Sequence, residues 1–248
     1  MASPRRVADT GTRLRSLGHV ALVVVGAFLA GLLLAATGVS LLTSLGVTRE
    51  ADLAVLLVGS TVLQFLGFYA VVYWYFATFG DFAELVHTRS PSLRQAAWAI
   101  GGFVVLFLAN VVVSQLLAGA GLEGAQNQIV EQGREHPELF LYLIPVTILF
   151  VAPAEELVFR GIVQGLLRRA YGTALGVVLT AAVFGVVHWA ALGGTGSRGA
   201  TIVVIVTLGL VLGTVYELSE SVLVSAAVHA AWNVVIFAWE YAAVTGLV

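Results

Sequence analysis

Three polar clusters interrupt an otherwise apolar sequence: Glu155 and Glu156 with Arg160, Phe184 with His188, and His229 with Asn233. Within each cluster two residues stand four apart, the separation that sets side chains on one face of a helix. Glu156 and Arg160 read as an ion pair that keeps one carboxylate ionised in a low-dielectric setting. Glu155 points about 100° away from Glu156. It need not share the arginine and can serve as a poised base. Gln164, one turn beyond Arg160, is placed to hold the guanidinium from below. Glu155 and His188 together could activate a water. His229 and Asn233, two donors on one stripe, could face a developing oxyanion.

Plainer roles exist for each cluster: a helix-stabilising ion pair, a packed core histidine, and hydrogen-bonding glue between helices. They do not explain the second carboxylate. A charge at a helix centre in hydrocarbon also costs about 2.5–3.5 kcal/mol on insertion scales. A chain that keeps so many ionisable groups there uses them. Glu155, His188 and His229 also form a His₂Glu set of the kind that binds catalytic zinc, although the sequence has no HExxH helix. A serine nucleophile lacks a GxSxG signature, and Ser225, one turn before His229, carries little weight. Cysteine is absent, which excludes disulfides, thiolate metal sites and a cysteine nucleophile.

The elements that must position these residues are membrane helices. Of 248 residues, 59% are hydrophobic and 10% charged, with a mean hydropathy of +0.98; soluble domains average roughly 25% charged. A spanning helix needs about 20 mostly apolar residues. The sequence offers about seven such runs, near 19–43, 53–77, 96–118, 139–169, 174–192, 200–217 and 221–240. The fourth is long and must tilt, break near Pro145 or Pro153, or extend into the interface. The fold class is therefore all-α, a polytopic bundle of about seven or eight helices around a polar intramembrane cavity. The run 19–45 reads as a retained first span rather than a signal peptide. Residues 1–18 form a basic N-terminal segment and 19–248 one integral domain. The polar stretch Gly119–Glu138 suggests a short surface helix. Span four ends at Arg168-Arg169-Ala170-Tyr171-Gly172, with basic residues before a terminating glycine. Glu217–Ser221 reads as a tight turn, with Ser219 or Ser221 as a cap.

Every basic residue is arginine. With the N-terminus in the cytoplasm, Arg5, Arg6, Arg13, Arg15, Arg89, Arg94, Arg168 and Arg169 lie inside, against Arg49, Arg134 and Arg198 outside. That bias agrees with the positive-inside rule. Comparable depths for the three clusters then suggest one cavity open toward the cytosol. Other polar residues carry less weight. His19, His87 and His136 fall at interfaces or loops. Trp189 and Trp232 read as packing. Gln64, Asn110 and Gln115 read as bridges between helices, with Asn110 able to face the cavity. Glu217, Glu220 and Glu240 read as solvated helix ends. The net charge of −2 gives no indication of a nucleic-acid partner.

Glu155-Glu156-x-x-x-Arg160, Phe184-x-x-x-His188 and His229-x-x-x-Asn233, in that order and in separate spans, resemble the three motifs of the CPBP family over roughly Leu143 to Asn233. That family holds the type II CAAX prenyl endopeptidases and the bacteriocin-processing or immunity proteins often labelled Abi. The resemblance implies an intramembrane endopeptidase of about eight helices around a cytosol-facing cavity. It implies that Glu155 and His188 activate the hydrolytic water, that His229 and Asn233 form the oxyanion site, and that Glu156 and Arg160 order the first motif. It admits both a metal-dependent and a glutamate-type mechanism. The expected substrate is a membrane protein or lipidated peptide cut near its C-terminus, prenylated or not. Two alternatives are a non-enzymatic immunity or scaffold protein on the same fold, and a proton or ion pathway.

Overall fold

The computed structural model describes residues 9–80 and 82–248. Arg5 and Arg6 lie outside the described residues. Seven helices are long and apolar enough to cross a membrane. The first is α1, Thr10–Ser44. It starts well before the apolar run, because Asp9 caps it by accepting from the Thr12 backbone N–H at 2.8 Å. Arg13 and Arg15 therefore belong to a helix rather than to a separate basic segment. α2 follows over Arg49–Phe79, then a single turn α3 over Phe82–Leu85 and α4 over Leu93–Gly119, capped by Ser92.

The segment after α4 holds a two-residue strand β1, Gln126–Asn127, and the amphipathic helix α5, Gln128–Glu135. α6 runs from Glu138 to Tyr171. It does not break at either proline. Instead it widens into π-helical turns at Thr147–Val151 and Leu157–Gln164. Proline lacks an N–H and clashes with the carbonyl four residues back; a wider turn just after Pro145 accommodates both defects without a break. Such turns mark functional sites often, and here they flank Glu155 and Glu156. α7 is Thr173–Val187, extended by a 3₁₀ turn over His188–Ala191. Strand β2, Leu192–Gly193, pairs antiparallel with β1. α8, Arg198–Ser219, and α9, Val222–Val244, complete the bundle. The last helix is continuous to Val244 with no re-entrant break.

α1 and α2 form the closest helix pair. A Cβ on Gly67 would lie 2.4 Å from the Gly31 backbone nitrogen, and one on Gly31 would lie 2.7 Å from the Gln64 carbonyl oxygen. Small residues let membrane helices approach at this range. This pair packs against α6 and α7 through a core of Phe65, Phe68, Tyr75, Phe159, Ile162 and Phe184. A second core joins α4, α8 and α9 through Leu106, Leu212, Val215 and Val228. The functional residues lie between these two packed groups.

Seven alternating spans put Thr10, Phe79, Leu93, Tyr171, Ser219 and Val222 at one end of the bundle, and the β1–α5 segment and β2 at the other. The tight turn at the first end is formed by Glu220, with φ of 51°. Ser221 occupies the cap position of α9 without a side-chain bond. The Val222 N–H donates to the His87 carbonyl instead, at 2.9 Å.

Candidate active site

Glu156 and Arg160 are fully buried in α6, and Arg160 Nε donates to Glu156 Oε2 at 3.0 Å. Two groups from α9 complete the carboxylate's shell. His229 Nδ1 donates to Oε1 at 3.0 Å, and Ser225 Oγ donates to Oε2. Ser225 and His229 are one turn apart, so a single helical stripe supplies both donors. A buried carboxylate is tolerable only when its lone pairs are filled in this way. The i, i+4 spacing before His229 is the signal that could have identified Ser225.

Glu155 points elsewhere, toward the cavity. Its Oε2 lies 3.6 Å from His229 Nε2. The His229 ring is thus held between two carboxylates, with Nδ1 anchored on Glu156 and Nε2 directed at Glu155. Asn233 follows one turn later on the same stripe. His188 stands where α7 ends. Its backbone N–H turns to the Gly185 carbonyl, and its ring Nδ1 donates to the released Phe184 carbonyl at 2.6 Å. That bond satisfies a helix-end acceptor and leaves Nε2 without a hydrogen-bond partner among the described residues. It also places His188 toward the end of its span rather than at mid-depth. The Phe184 ring sits between the histidines, its centroid 4.5 Å from His188 and 5.9 Å from His229. The same ring lies 5.0 Å from the Arg160 guanidinium carbon, a cation–π contact.

Glu155, His188, His229 and Asn233 line one cavity of about 530 Å³. It extends from mid-bundle toward the end that carries α5, which contributes Gln128 and Val130 to its wall. α5 is therefore a wall of the chamber and not only a surface helix. The Arg134 guanidinium pins it to α9 by a two-bond contact with Glu240, both at 2.7 Å. That contact holds Arg134 above the usual arginine range. The cavity lies at the end opposite Thr10. A cytoplasmic N-terminus and a cytosol-facing cavity thus cannot both hold in this fold.

Several sequence expectations change. Gln164 does not hold the guanidinium: its amide nitrogen donates to the Gly213 carbonyl at 3.1 Å and to Glu217 at 2.8 Å. Glu217 is no solvated end, since Arg168 also donates to it at 3.1 Å. Glu240 is part-buried in its pair with Arg134, whereas Glu220 pairs with Arg89 and stays exposed, a solvated helix end as expected. His87 is half-buried against Arg168, whose Nη2 stands 3.1 Å from its Nε2. Burial first, and then the Arg168 charge, hold the His87 imidazole below its ordinary value. His19 lies within α1, bonded to the Tyr75 hydroxyl at 2.9 Å. Trp232, Gln64 and Asn110 all line the cavity. Trp189 and Gln115 are exposed on the bundle surface.

The metal set Glu155, His188 and His229 does not form. Among the described residues, no three His, Cys, Asp or Glu side chains gather closely enough to hold an ion. The Phe184 ring contacts both imidazoles, and Glu156 engages one nitrogen of His229.

Residues 137–235 match the family model described as type II CAAX prenyl endopeptidase Rce1-like. The matched segment begins at the start of α6 and contains all three clusters; α1, α2 and α4 lie outside it. No curated protein and no solved structure matches the chain.

Proposed function

We infer, from the membership of this multi-pass membrane chain in the CPBP family over residues 137–235, that it is an intramembrane endopeptidase cutting a membrane-associated polypeptide near its C-terminus. The observation that carries this reading is the Glu155 carboxylate, 3.6 Å from His229 in a cavity that His188 and Asn233 also line. A water between Glu155 and His188 Nε2 loses its proton to Glu155 as its oxygen attacks the scissile carbonyl carbon. The C–O bond forms as the carbonyl π bond opens. The resulting oxyanion is met by the His229 Nε2 proton and the Asn233 amide. Glu156, neutralised on its other side by Arg160, supports positive charge on the His229 ring as the oxyanion develops. Glu155 then returns its proton to the leaving amine, and the C–N bond breaks.

The decisive test is the purified protein against prenylated and unmodified peptides, with and without chelator. Cleavage by wild type and none by a folded Glu155→Ala protein is expected. Full activity in that variant overturns the mechanism. Equal loss on both peptides would show that the prenyl group is not read.

An orientation is part of this proposal. Arg13, Arg15, Arg89, Arg94, Arg168 and Arg169 lie at the Thr10 end, against Arg134 and Arg198 at the other among the described side chains. The positive-inside rule then sets the N-terminus in the cytoplasm and the cavity on the far side of the membrane. The chain has no cysteine, so single cysteines report directly. A membrane-impermeant maleimide is expected to label Thr195→Cys in intact cells and Thr88→Cys only after lysis; both positions are exposed. The reverse pattern overturns the orientation.

A further inference from the structure

An extended polypeptide entering this chamber brings one N–H and one C=O per residue into a water-poor space. Left unpaired, each costs several kcal/mol. The bundle's own backbone offers little, since helical N–H and C=O groups bond one another. Apart from the short β1–β2 ribbon, whose Asn127 and Leu192 also line the cavity, the partners are side chains. The cavity wall is mostly apolar, built from Phe28, Phe65, Leu106, Leu208 and Phe237 among others. No arginine lines it, the chain has no lysine, and Glu155 is its one carboxylate among the described residues.

Against that wall stand carboxamides from separate elements: Gln64 on α2, Asn110 on α4 and Gln128 on α5. None belongs to the three clusters, and the first two lie outside the segment shared with the family. Neither Gln64 nor Asn110 hydrogen-bonds another group among the described residues, and both are part-exposed. Gln128 reaches the Ala190 carbonyl only at 3.5 Å, a marginal bond. The stem of the Gln64 side chain packs close to Gly31 where α1 and α2 approach. A primary amide carries both donors and an acceptor, so it matches a peptide unit without reading a side chain.

We propose that Gln64, Asn110 and Gln128 are substrate-positioning residues that bind the backbone of an extended, uncharged polypeptide segment leading to Glu155. This rests on the peptidase reading for its consequence, but its test does not require cleavage. Beyond the Glu155–His229 pair the wall carries no ionisable partner for a charged substrate side chain except His188, so the bound stretch is uncharged.

The experiment is calorimetric titration, in detergent, of an acetylated and amidated hexapeptide of alanine, valine and leucine into full-length Glu155→Gln protein. Gln64→Leu and Asn110→Leu, added singly, are each expected to weaken binding about tenfold, the worth of one hydrogen bond to a desolvated group. A peptide N-methylated at alternate residues is expected to weaken against the unaltered pocket as well, which keeps the proposal testable if a variant misfolds. Equal affinity across the variants, equal affinity for the N-methylated peptide, or no binding overturns the proposal. Binding as expected, with no cleavage by wild type, would sustain it while removing the peptidase reading.

Discussion

The interior polar residues divide into two regions that behave in opposite ways. Toward the Thr10 end, the groups are buried or half-buried and mostly engaged, although Arg160 Nη1 and Nη2 and Gln164 Oε1 have no hydrogen-bond partner among the described residues. Glu156 is met by Arg160, Ser225 and His229, and beyond it Gln164, Glu217, Arg168 and His87 are linked in sequence. Toward the α5 end, polar side chains stand against open space: Glu155, Nε2 of His188, Asn233, Gln64 and Asn110. Adjacent glutamates fall on either side of this divide. A polar network tied together in this way fixes geometry. An unsatisfied one beside a cavity is a place where something else binds. The first region is the mounting and the second is the working surface.

The comparison can be broken most sharply at the glutamates. Glu155→Gln is expected to lower the cleavage rate by about a hundred- to ten-thousandfold with the unfolding midpoint unchanged. Glu156→Gln should also destroy activity, but with a loss of about 3–5 kcal/mol of stability, because it leaves Arg160 charged and buried without its partner. Equal stability of the two variants, measured by thermal unfolding in detergent, would erase the distinction between mounting and working surface. Ser225→Ala tests the mounting with a smaller cut. It removes one bond to an ionised group and should cost about 1.5–3 kcal/mol, with some activity retained.

Arg134→Gln probes the wall rather than the mounting. Its pair with Glu240 is part-exposed, at 43% and 16% for the two side chains, so the stability loss should be about 0.2–1 kcal/mol. Slower hydrogen exchange in α5 of the variant than of wild type would contradict its role as the pin. The smallest expected effect is that of pH on His87. Its folded pKa is depressed, so the contribution to stability is present above the unfolded value of about 6.5 and is lost as pH falls below it. The unfolding midpoint should therefore drop on the acid side of that value, and His87→Asn should flatten the drop. A midpoint that rises on acidification would contradict the neutral assignment.

The spans and their order were legible in the sequence because hydropathy is a local sum over about 20 residues. The Glu156–Arg160 pair was legible because helical spacing alone brings it together. Pro145 signalled a disturbance in span four, but whether the helix would break or widen depended on what packed around it. Which way a side chain faces is a matter of helix rotation, and rotation is set by neighbours from distant sequence. Trp232 and Gln64 therefore read as packing and bridging residues until the bundle placed them at the cavity, beside Asn110, which was already read as able to face it.

By itself, then, the sequence determined a seven-span helical chain with charge retained at three points in its apolar interior. Only the tertiary structure decided that Ser225 and His229 would complete the shell of Glu156, that Glu155 would be left facing open space, and that the space would lie opposite the arginine-rich end. The reason is physical. Burying an apolar helix fixes that it inserts, whereas hydrogen bonds between helices, each needing a partner within about 3 Å, fix how the inserted helices turn toward one another.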